Sequence, residues 1–407
     1  MMLTASAFTT LGSAAPEIPD ERAALALLAA HVFDAWLDGL PVDVSPVDAA
    51  AHGASPAAPP ERLFHEALER AFETMHGGPA TDARRRLAVL ELMSEAGNDL
   101  STLGRPELAV PFLTAILGHS GTAGAEAAVT AQCLYARARA LVRQGKLDET
   151  LADAHLLHRL ATDAGLEYYR VRAGVIFSDV KTRLGDIPQA AALAKEVWEG
   201  ARGRGRVDAE PIAAGQYGVT LVSMGRIRDA IPFLLHASIA AAGGEQTNCL
   251  IGLGVAFMAL GHREAARDAL EMGESQAVDV LYRARARLNL MRLAADLGDR
   301  AAFERWRALV LDGPIDPSMS PAVYCMMGEA YHLFGEHDAA RASFSRAIAH
   351  GERYRINQWV FTAEAGLKAL DAGVPPTPEP EPPTLGEVAP AIATVREMRA
   401  AMGGRAR

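Results

Sequence analysis

The chain has 407 residues, with 40 basic and 50 acidic side chains and a net charge of −10. Half of the residues are hydrophobic, which is enough to bury a sizeable core and excludes a wholly disordered chain. The acidic balance argues against a protein that binds nucleic acid through general charge attraction. The sequence therefore predicts a folded protein without a direct nucleic-acid partner.

The first residues of the chain, MMLTASAFTTLGSAA, are small and apolar, as in a signal peptide. They lack the positively charged start of such peptides, since the first basic residue is Arg22. No stretch approaches the roughly 18 uninterrupted apolar residues that a membrane span requires. We therefore predict a cytoplasmic protein without a membrane span, with secretion as the alternative.

Residues 1–60 are predicted to hold an N-terminal helix over residues 21–40 and then a Pro/Ala-rich linker. This helix packs either on the first helices of the segment that follows or on a second chain. Its apolar stripe has helical spacing and consists of Leu25, Leu28, Val32, Trp36 and Leu40.

A short phrase recurs seven times along the chain: an apolar residue, a Gly, a polar pair, then Ala and an apolar run. One example is MGRIRDAIPFL from Met224. Glycine adopts a positive φ at little cost, which suits a tight turn between two helices. The phrase therefore predicts seven helix–turn–helix units. Their turn glycines are 36 to 41 residues apart and are Gly104, Gly145, Gly185, Gly225, Gly261, Gly298 and Gly335.

Two further positions of the repeat keep small residues, seven before and five after the turn glycine. Two helices approach closely only where side chains are small, so these positions predict the helix crossings. The sixth unit departs from the pattern, with Met291 and Phe303 at these places. Bulky residues that would fill the gap to the next pair stand nine after the glycine in four units: Leu113, Leu234, Leu270 and Phe344.

This register resembles the tetratricopeptide repeat, in its longer, bacterial regulatory type. The resemblance covers about residues 81–373, and an amphipathic helix from Glu61 extends the array to residues 61–373. It implies an all-α, right-handed α-solenoid of about seven helix–turn–helix units with terminal capping helices. The spacing exceeds the usual 34 residues. Helical repeats of the HEAT type, which have similar length but lack the small-residue register, remain an alternative.

Two segments follow the array. Residues 374–383 are predicted to form an extended Pro-rich linker. Residues 384–407 are predicted to hold an amphipathic helix and tail. One expectation is that this helix docks into a groove, either of its own chain or of a partner. The alternatives are that it forms a further cap or is mostly disordered. A homodimer formed through the terminal helices is also open. Its apolar residues are Leu385, Val388, Ile392, Val395, Met398 and Met402.

The sequence contains no phosphate-binding glycine loop, HExxH motif or kinase signature, so we predict no catalytic residue, no metal site and no cofactor. His155 and His158 are three residues apart, but no third ligand is indicated, which favours a solvent-facing pair. Cys133, Cys249 and Cys325 fall in first helices, where cysteine acts as a small buried hydrophobe.

The resemblance implies that the first helix of each unit lines the concave side of the solenoid. The inward positions are nearly neutral in the middle of the array, as at Val222 and Ile251, and charged on either side. Arginine can bind a carboxylate through two parallel hydrogen bonds. Solvated helix faces also carry arginines, which is the alternative interpretation. The candidate partner-binding residues are Arg139, Arg143, Arg172, Asn248, Arg285, Asn289 and Arg292.

These observations predict a non-enzymatic scaffold or adaptor that binds a protein or peptide with apolar anchors and acidic flanks in its concave groove. Reversing the charges of Arg139 and Arg292 together is expected to abolish binding without loss of stability. One alternative is a regulatory sensor that binds a signalling peptide or small ligand and controls a transcription factor or cyclase in trans. Another is an enzyme with a pocket between repeats.

Overall fold

A computed structural model describes residues 21–39, 59–205, 207–313, 315–374 and 388–405. These residues form eighteen α-helices and no β-strand, which confirms the predicted all-α helical-repeat fold. The predicted linkers lie almost wholly outside the described residues. At the edge of the first linker, Pro59 begins a helix, so the array starts two residues earlier than predicted.

The chain divides into two compact units, Met1–Ala173 and Gly174–Arg407, with the boundary inside the seventh helix. Each unit consists of antiparallel helix pairs of the predicted kind. The helices that begin in the first unit are α1 (Glu21–Leu37), α2 (Pro59–His76), α3 (Ala83–Thr102), α4 (Pro106–His119), α5 (Glu126–Arg143), α6 (Leu147–Asp163) and α7 (Glu167–Arg183).

The second unit contains the end of α7 and eleven further helices. Its last helix, α18, follows the predicted Pro-rich linker. The helices are α8 (Ile187–Gly203), α9 (Glu210–Ser223), α10 (Ile227–Ala240), α11 (Gly243–Ala259), α12 (Arg263–Gln276), α13 (Val280–Asp296), α14 (Arg300–Leu311), α15 (Ser320–Leu333), α16 (His337–Tyr354), α17 (Asn357–Asp371) and α18 (Ala389–Arg405).

All seven predicted turn glycines have a positive φ, between 69° and 86°. In each turn the residue after the glycine donates its backbone N–H to the carbonyl five residues earlier. At Gly225, for example, Arg226 N donates to Leu221 O at 2.9 Å. This pattern satisfies carbonyl groups left over at the end of the first helix and reverses the chain. The glycines therefore end the first helices, as predicted.

In four helix pairs the small residue seven before the turn glycine meets the bulky residue nine after it. A methyl group added at Gly254 would lie 2.5 Å from Leu270 Cγ, closer than any real contact. Phe344 is enclosed from two sides, because a methyl group at Gly328 or at Gly366 would lie within 2.7 Å of its ring. One bulky side chain from a second helix thus fills the space left by neighbouring first helices. The pairs built this way are Gly97–Leu113, Gly218–Leu234, Gly254–Leu270 and Gly328–Phe344.

The sixth unit, which departs from the small-residue pattern, fills its crossing with large side chains. Met291 and Phe303 are both fully buried in one hydrophobic cluster. The ring of Phe303 packs edge-on against Tyr331 and Phe334, with centroids 5.7 and 5.2 Å away. The departure in sequence is therefore a local change of packing and leaves the helix pair in place.

The N-terminal helix α1 packs on α4 of its own chain. Asp34 on α1 pairs with His119 at 3.0 Å, and Trp36 Nε1 donates to Gly78 O at 3.0 Å. Of the predicted stripe, Leu25, Val32 and Trp36 are buried, while the side chain of Leu28 and residue Leu40 lie outside the described parts. The apolar face of α1 is thus covered within the chain.

We expect Gly254→Ala to lower the stability of the protein. Its methyl group meets the branch point of Leu270, and overpacking of this kind costs about 1–3 kcal/mol. The gain in helix propensity, about 1 kcal/mol, offsets only part of that cost. Gly118→Ala on α4 is the matched control, because no atom lies within 4 Å of the added methyl group, and it should be neutral or stabilising. Urea unfolding followed by circular dichroism measures both; equal effects would contradict the crossing model.

Candidate partner-binding cavity

The second unit contains a cavity of about 320 Å³, which we call the unit 2 cavity. Most of its lining comes from the first helices α7, α9, α11, α13 and α15, as the resemblance implies for inward positions. The remainder comes from Ser318 and Met319 before α15, from Ile356 before α17 and from α17 itself. The lining residues with apolar side chains include Val219, Val222, Ile251, Val255, Leu281, Leu288, Met319, Met326, Ile356 and Trp359.

The structure brings three of the seven candidate residues together at this cavity. Arg285 Nη1 donates to Asn248 Oδ1 at 3.0 Å, which links α13 to α11. On α13 itself, Asn289 Nδ2 donates to Arg285 O at 2.8 Å. All three line the cavity, and Asn289 is 8% exposed. The polar part of the wall is therefore fixed by hydrogen bonds before any ligand arrives.

Two arginines and one aspartate are the charged residues of the lining, so its net charge is +1. Arg183 Nε donates to Asp179 Oδ2 at 2.8 Å and is thereby neutralised. Among the residues that the structure describes, no carboxylate forms an ion pair with Arg285. Burial lowers the pKa of Arg285 below its usual range, although a guanidinium stays charged at neutral pH. A ligand anion would offset the cost of burying this cation.

Helix α17 contacts the first turn of the same unit. Asn357 Nδ2 donates to Leu184 O at 3.2 Å, across 173 positions of the chain. Phe361 lies against Gly185, where an added methyl group would be 2.9 Å from its ring. The sequence predicts α17 only as a cap of the last pair and gives no sign that Trp359 lines a cavity. That contact depends on curvature summed over the intervening helix pairs, which no local pattern encodes.

Arg292 does not line the cavity, because it is paired with an acid of the next first helix. Its Nη1 lies 2.5 Å from Glu329 Oε2. Burial raises the pKa of Glu329, and the charge of Arg292 acts against that rise. Burial also raises the pKa of the nearby Asp296. Arg292→Glu would therefore gather acids in a half-buried site, which argues against the expectation that it spares stability.

In the first unit, Arg143 is only 2% exposed and donates to the backbone oxygen of Ser101. It closes the end of α3 instead of facing a partner. Arg139 is half-buried, with Nη1 at 3.4 Å from Asn98 Oδ1. Because its side chain is buried and bound to the backbone, Arg143 has a structural role and is not a candidate for binding a partner.

Arg172 is 7% exposed and lies between two aromatic rings. Its guanidinium carbon is 4.9 Å from the ring centre of Tyr135 and 5.0 Å from that of Tyr168. Its Nη2 also donates to the Tyr168 hydroxyl at 2.7 Å. Such cation–π contacts stabilise a packed guanidinium. Arg172 thus joins α5 to α7 and is likewise left out of the proposed site.

Asp99 on α3 is a half-buried acid with an altered titration. Burial raises its pKa to about 7, and the neighbouring charge of Glu95 adds to the rise. The folded chain therefore holds this proton more tightly than the unfolded chain does. Stability from Asp99 is complete below pH 4 and is lost as the pH rises towards 7.

We expect Asp99→Asn to stabilise the protein at pH 8 by about 1–3 kcal/mol, because the amide is neutral at every pH. At pH 4 the variant and the wild type should be equally stable. Unfolding in urea at pH 4, 6 and 8 measures the difference. A constant difference across this range would show that Asp99 does not titrate as described.

The described residues contain no group of three or more His, Cys, Asp or Glu side chains placed to hold a metal ion. All three cysteines are buried, as predicted. Burial raises the pKa of Cys133 to about 12 and moves the pKa of Cys249 and of Cys325 well above the usual range. Within the described ranges, every helix is too short or too polar to cross a membrane.

Comparison with protein-family models finds the tetratricopeptide repeat at two places. Residues 321–349 match across α15 and α16, and residues 131–156 match across α5 and α6. One match thus falls in each unit, on a predicted helix pair. A search of curated proteins found no match.

Proposed function

We propose that the chain is a scaffold or adaptor whose unit 2 cavity binds a short protein segment. The chain is a tetratricopeptide-repeat protein. This family is typically non-enzymatic and generally serves as a protein-interaction scaffold. One observation carries this proposal. An apolar cavity lined mostly by first helices contains Arg285, a half-buried cation that has no carboxylate partner among the described residues.

The chemistry of the lining defines the segment. A volume of about 320 Å³ is at the low end for ligand pockets and accommodates a few side chains at most. Burying one large apolar side chain there contributes about 1.5–3 kcal/mol. An acidic group beside it can accept charge-assisted hydrogen bonds from Arg285, each contributing about 1.5–3 kcal/mol. The preferred segment therefore has an apolar anchor next to an acidic residue.

The setting of this function follows from the same features. Buried thiols and the acidic balance favour a cytoplasmic protein whose partner is a protein and not a nucleic acid. A cofactor has no role in the proposed binding.

A display library of peptides tests the proposal with the full-length chain as bait. We expect enriched peptides to share an apolar residue beside Asp or Glu. Val255→Trp should weaken their binding at least tenfold, because the indole fills the cavity from its wall. Val207→Trp is the matched control, since Val207 is 88% exposed and does not line the cavity. Arg285→Met should remove the preference for acidic peptides.

Fluorescence polarisation of the enriched peptides gives the affinities. Equal binding to wild type and Val255→Trp would exclude the cavity as the site. Enrichment of peptides without an acidic residue would exclude the role of Arg285.

The position of α17 favours a second candidate function, a regulatory sensor that binds a small ligand and acts on a transcription factor or cyclase in trans. Helix α17 contacts the turn at Gly185 and adds a wall to the cavity, which limits the length of a ligand. A small apolar carboxylate such as octanoate, but not octanol, would then raise the melting temperature of the wild type. The same compound should leave Val255→Trp unchanged.

A further inference from the structure

Helix α18 lies on the second helices α10 and α12, away from the residues that line the unit 2 cavity. Its apolar stripe joins the same hydrophobic cluster as Ile231 of α10 and Ala265 of α12. Since the sequence left open where this helix docks, its seat on its own chain is a finding of the structure. The four stripe residues at 6% exposure or less are Val388, Ala391, Ile392 and Val395.

The polar edge of α18 faces an acidic row on α12. Arg399 Nη1 lies 2.7 Å from Asp268 Oδ1, and its Nη2 donates to Glu271. Arg396 Nη2 lies 3.1 Å from Glu264 Oε2. The three acids are spaced four and three residues apart, so they share one face of α12. The seat of α18 therefore has an apolar floor and an acidic rim, and we call it the α10–α12 groove.

The ion pairs of α18 contribute little to its hold, most of which comes from the buried apolar stripe. Both partners of the Arg396–Glu264 pair are exposed, at 57% and 85%, and Arg399 is 41% exposed. Exposed pairs contribute about 0–1 kcal/mol each. The chain between Val374 and Val388 keeps the helix near its seat, at an effective concentration of the order of millimolar. A helix with matching chemistry at comparable effective strength can therefore compete for the groove.

We propose that the α10–α12 groove is a docking site for an amphipathic helix of a partner protein, one with an apolar stripe and basic residues about one turn apart. In the free protein α18 occupies this site, and the partner helix displaces it. Charge complementarity identifies the partner, because the three acids of α12 all bind arginines of α18 and would bind basic residues at the same positions of a competing helix. The proposal is independent of the function proposed for the unit 2 cavity.

A labelled synthetic peptide with the sequence of residues 388–405 serves as the probe, and the full-length chain is the receptor. Val395→Asp places a charge at a fully buried position and should release α18 from the groove. We expect this variant to bind the peptide at least tenfold more tightly than the wild type, whose groove is occupied. Ala393→Asp, on the exposed face of α18, is the matched control and should bind like the wild type.

Charge reversal tests whether the peptide enters the same groove. Adding Asp268→Arg to the Val395→Asp chain should weaken binding of the peptide severalfold, because a like charge then faces Arg399. A peptide carrying Arg399→Asp should bind this double variant more tightly, because the ion pair is restored in the opposite sense. Failure of the exchanged pair to recover binding would place the peptide elsewhere and overturn the proposal.

Two further results would overturn it. One is equal binding of the peptide by wild type and by Val395→Asp, since α18 would then not compete. The other is a wild-type dimer in light scattering that Val395→Asp dissolves, since the occupant would then be a second copy. If circular dichroism shows that Val395→Asp has lost helix content beyond α18, the full-length Arg396→Glu/Arg399→Glu variant replaces it. That variant removes the ion pairs between α18 and α12, and its binding of the peptide is measured and interpreted in the same way.

Discussion

The packing of one bulky side chain into the space left by glycine on neighbouring helices is the constraint on which the rest of the structure depends. At Gly254 and Leu270 the helices approach so closely that even one methyl group does not fit. This contact sets the spacing within a helix pair. Phe344, held between Gly328 and Gly366, extends the same contact from one pair to the next helix. Crossing geometry is thereby passed along the array.

That geometry decides which side chains meet in the second unit. First helices present Val222, Ile251 and Arg285 to one cavity because their backbones are kept at a regular spacing. Phe344 seats α17, and α17 in turn places Trp359 in the cavity and Asn357 on the turn at Leu184. The second helices carry the other surface, where α18 lies on α10 and α12. The second unit thus has two separate surfaces, one lined by first helices and one formed by second helices.

Local patterns of the sequence were sufficient for the turns, the crossings and the burial of the cysteines. They also placed Asn248, Arg285 and Asn289 on inward positions, and the structure brings these three together. Each of these inferences needs only the repeat register, because every unit has the same relation between its two helices. Family models match two of the seven predicted units, one in each compact unit of the chain.

The rest was not predictable from that register. Arg143 donates to a backbone carbonyl, and Arg172 lies between two aromatic rings. Both side chains are long, so their position on the inward face did not determine which groups they contact. The partner of Arg292 is an acid 37 residues away on the next first helix. Closure by α17 depends on curvature over the whole unit. Repeat patterns specify which residues are buried, and tertiary geometry specifies which charged side chains have no ion-pair partner within the fold.

A double-mutant cycle on Gly254→Ala and Leu270→Ala measures the crossing contact most directly. If the two side chains compete for one space, truncating Leu270 makes room for the added methyl group. The alanine at residue 254 should then cost nothing or stabilise the shortened chain, with a coupling energy of about 1–3 kcal/mol in urea unfolding. Effects that add to within about 0.5 kcal/mol would show that the two positions act independently and would contradict the account.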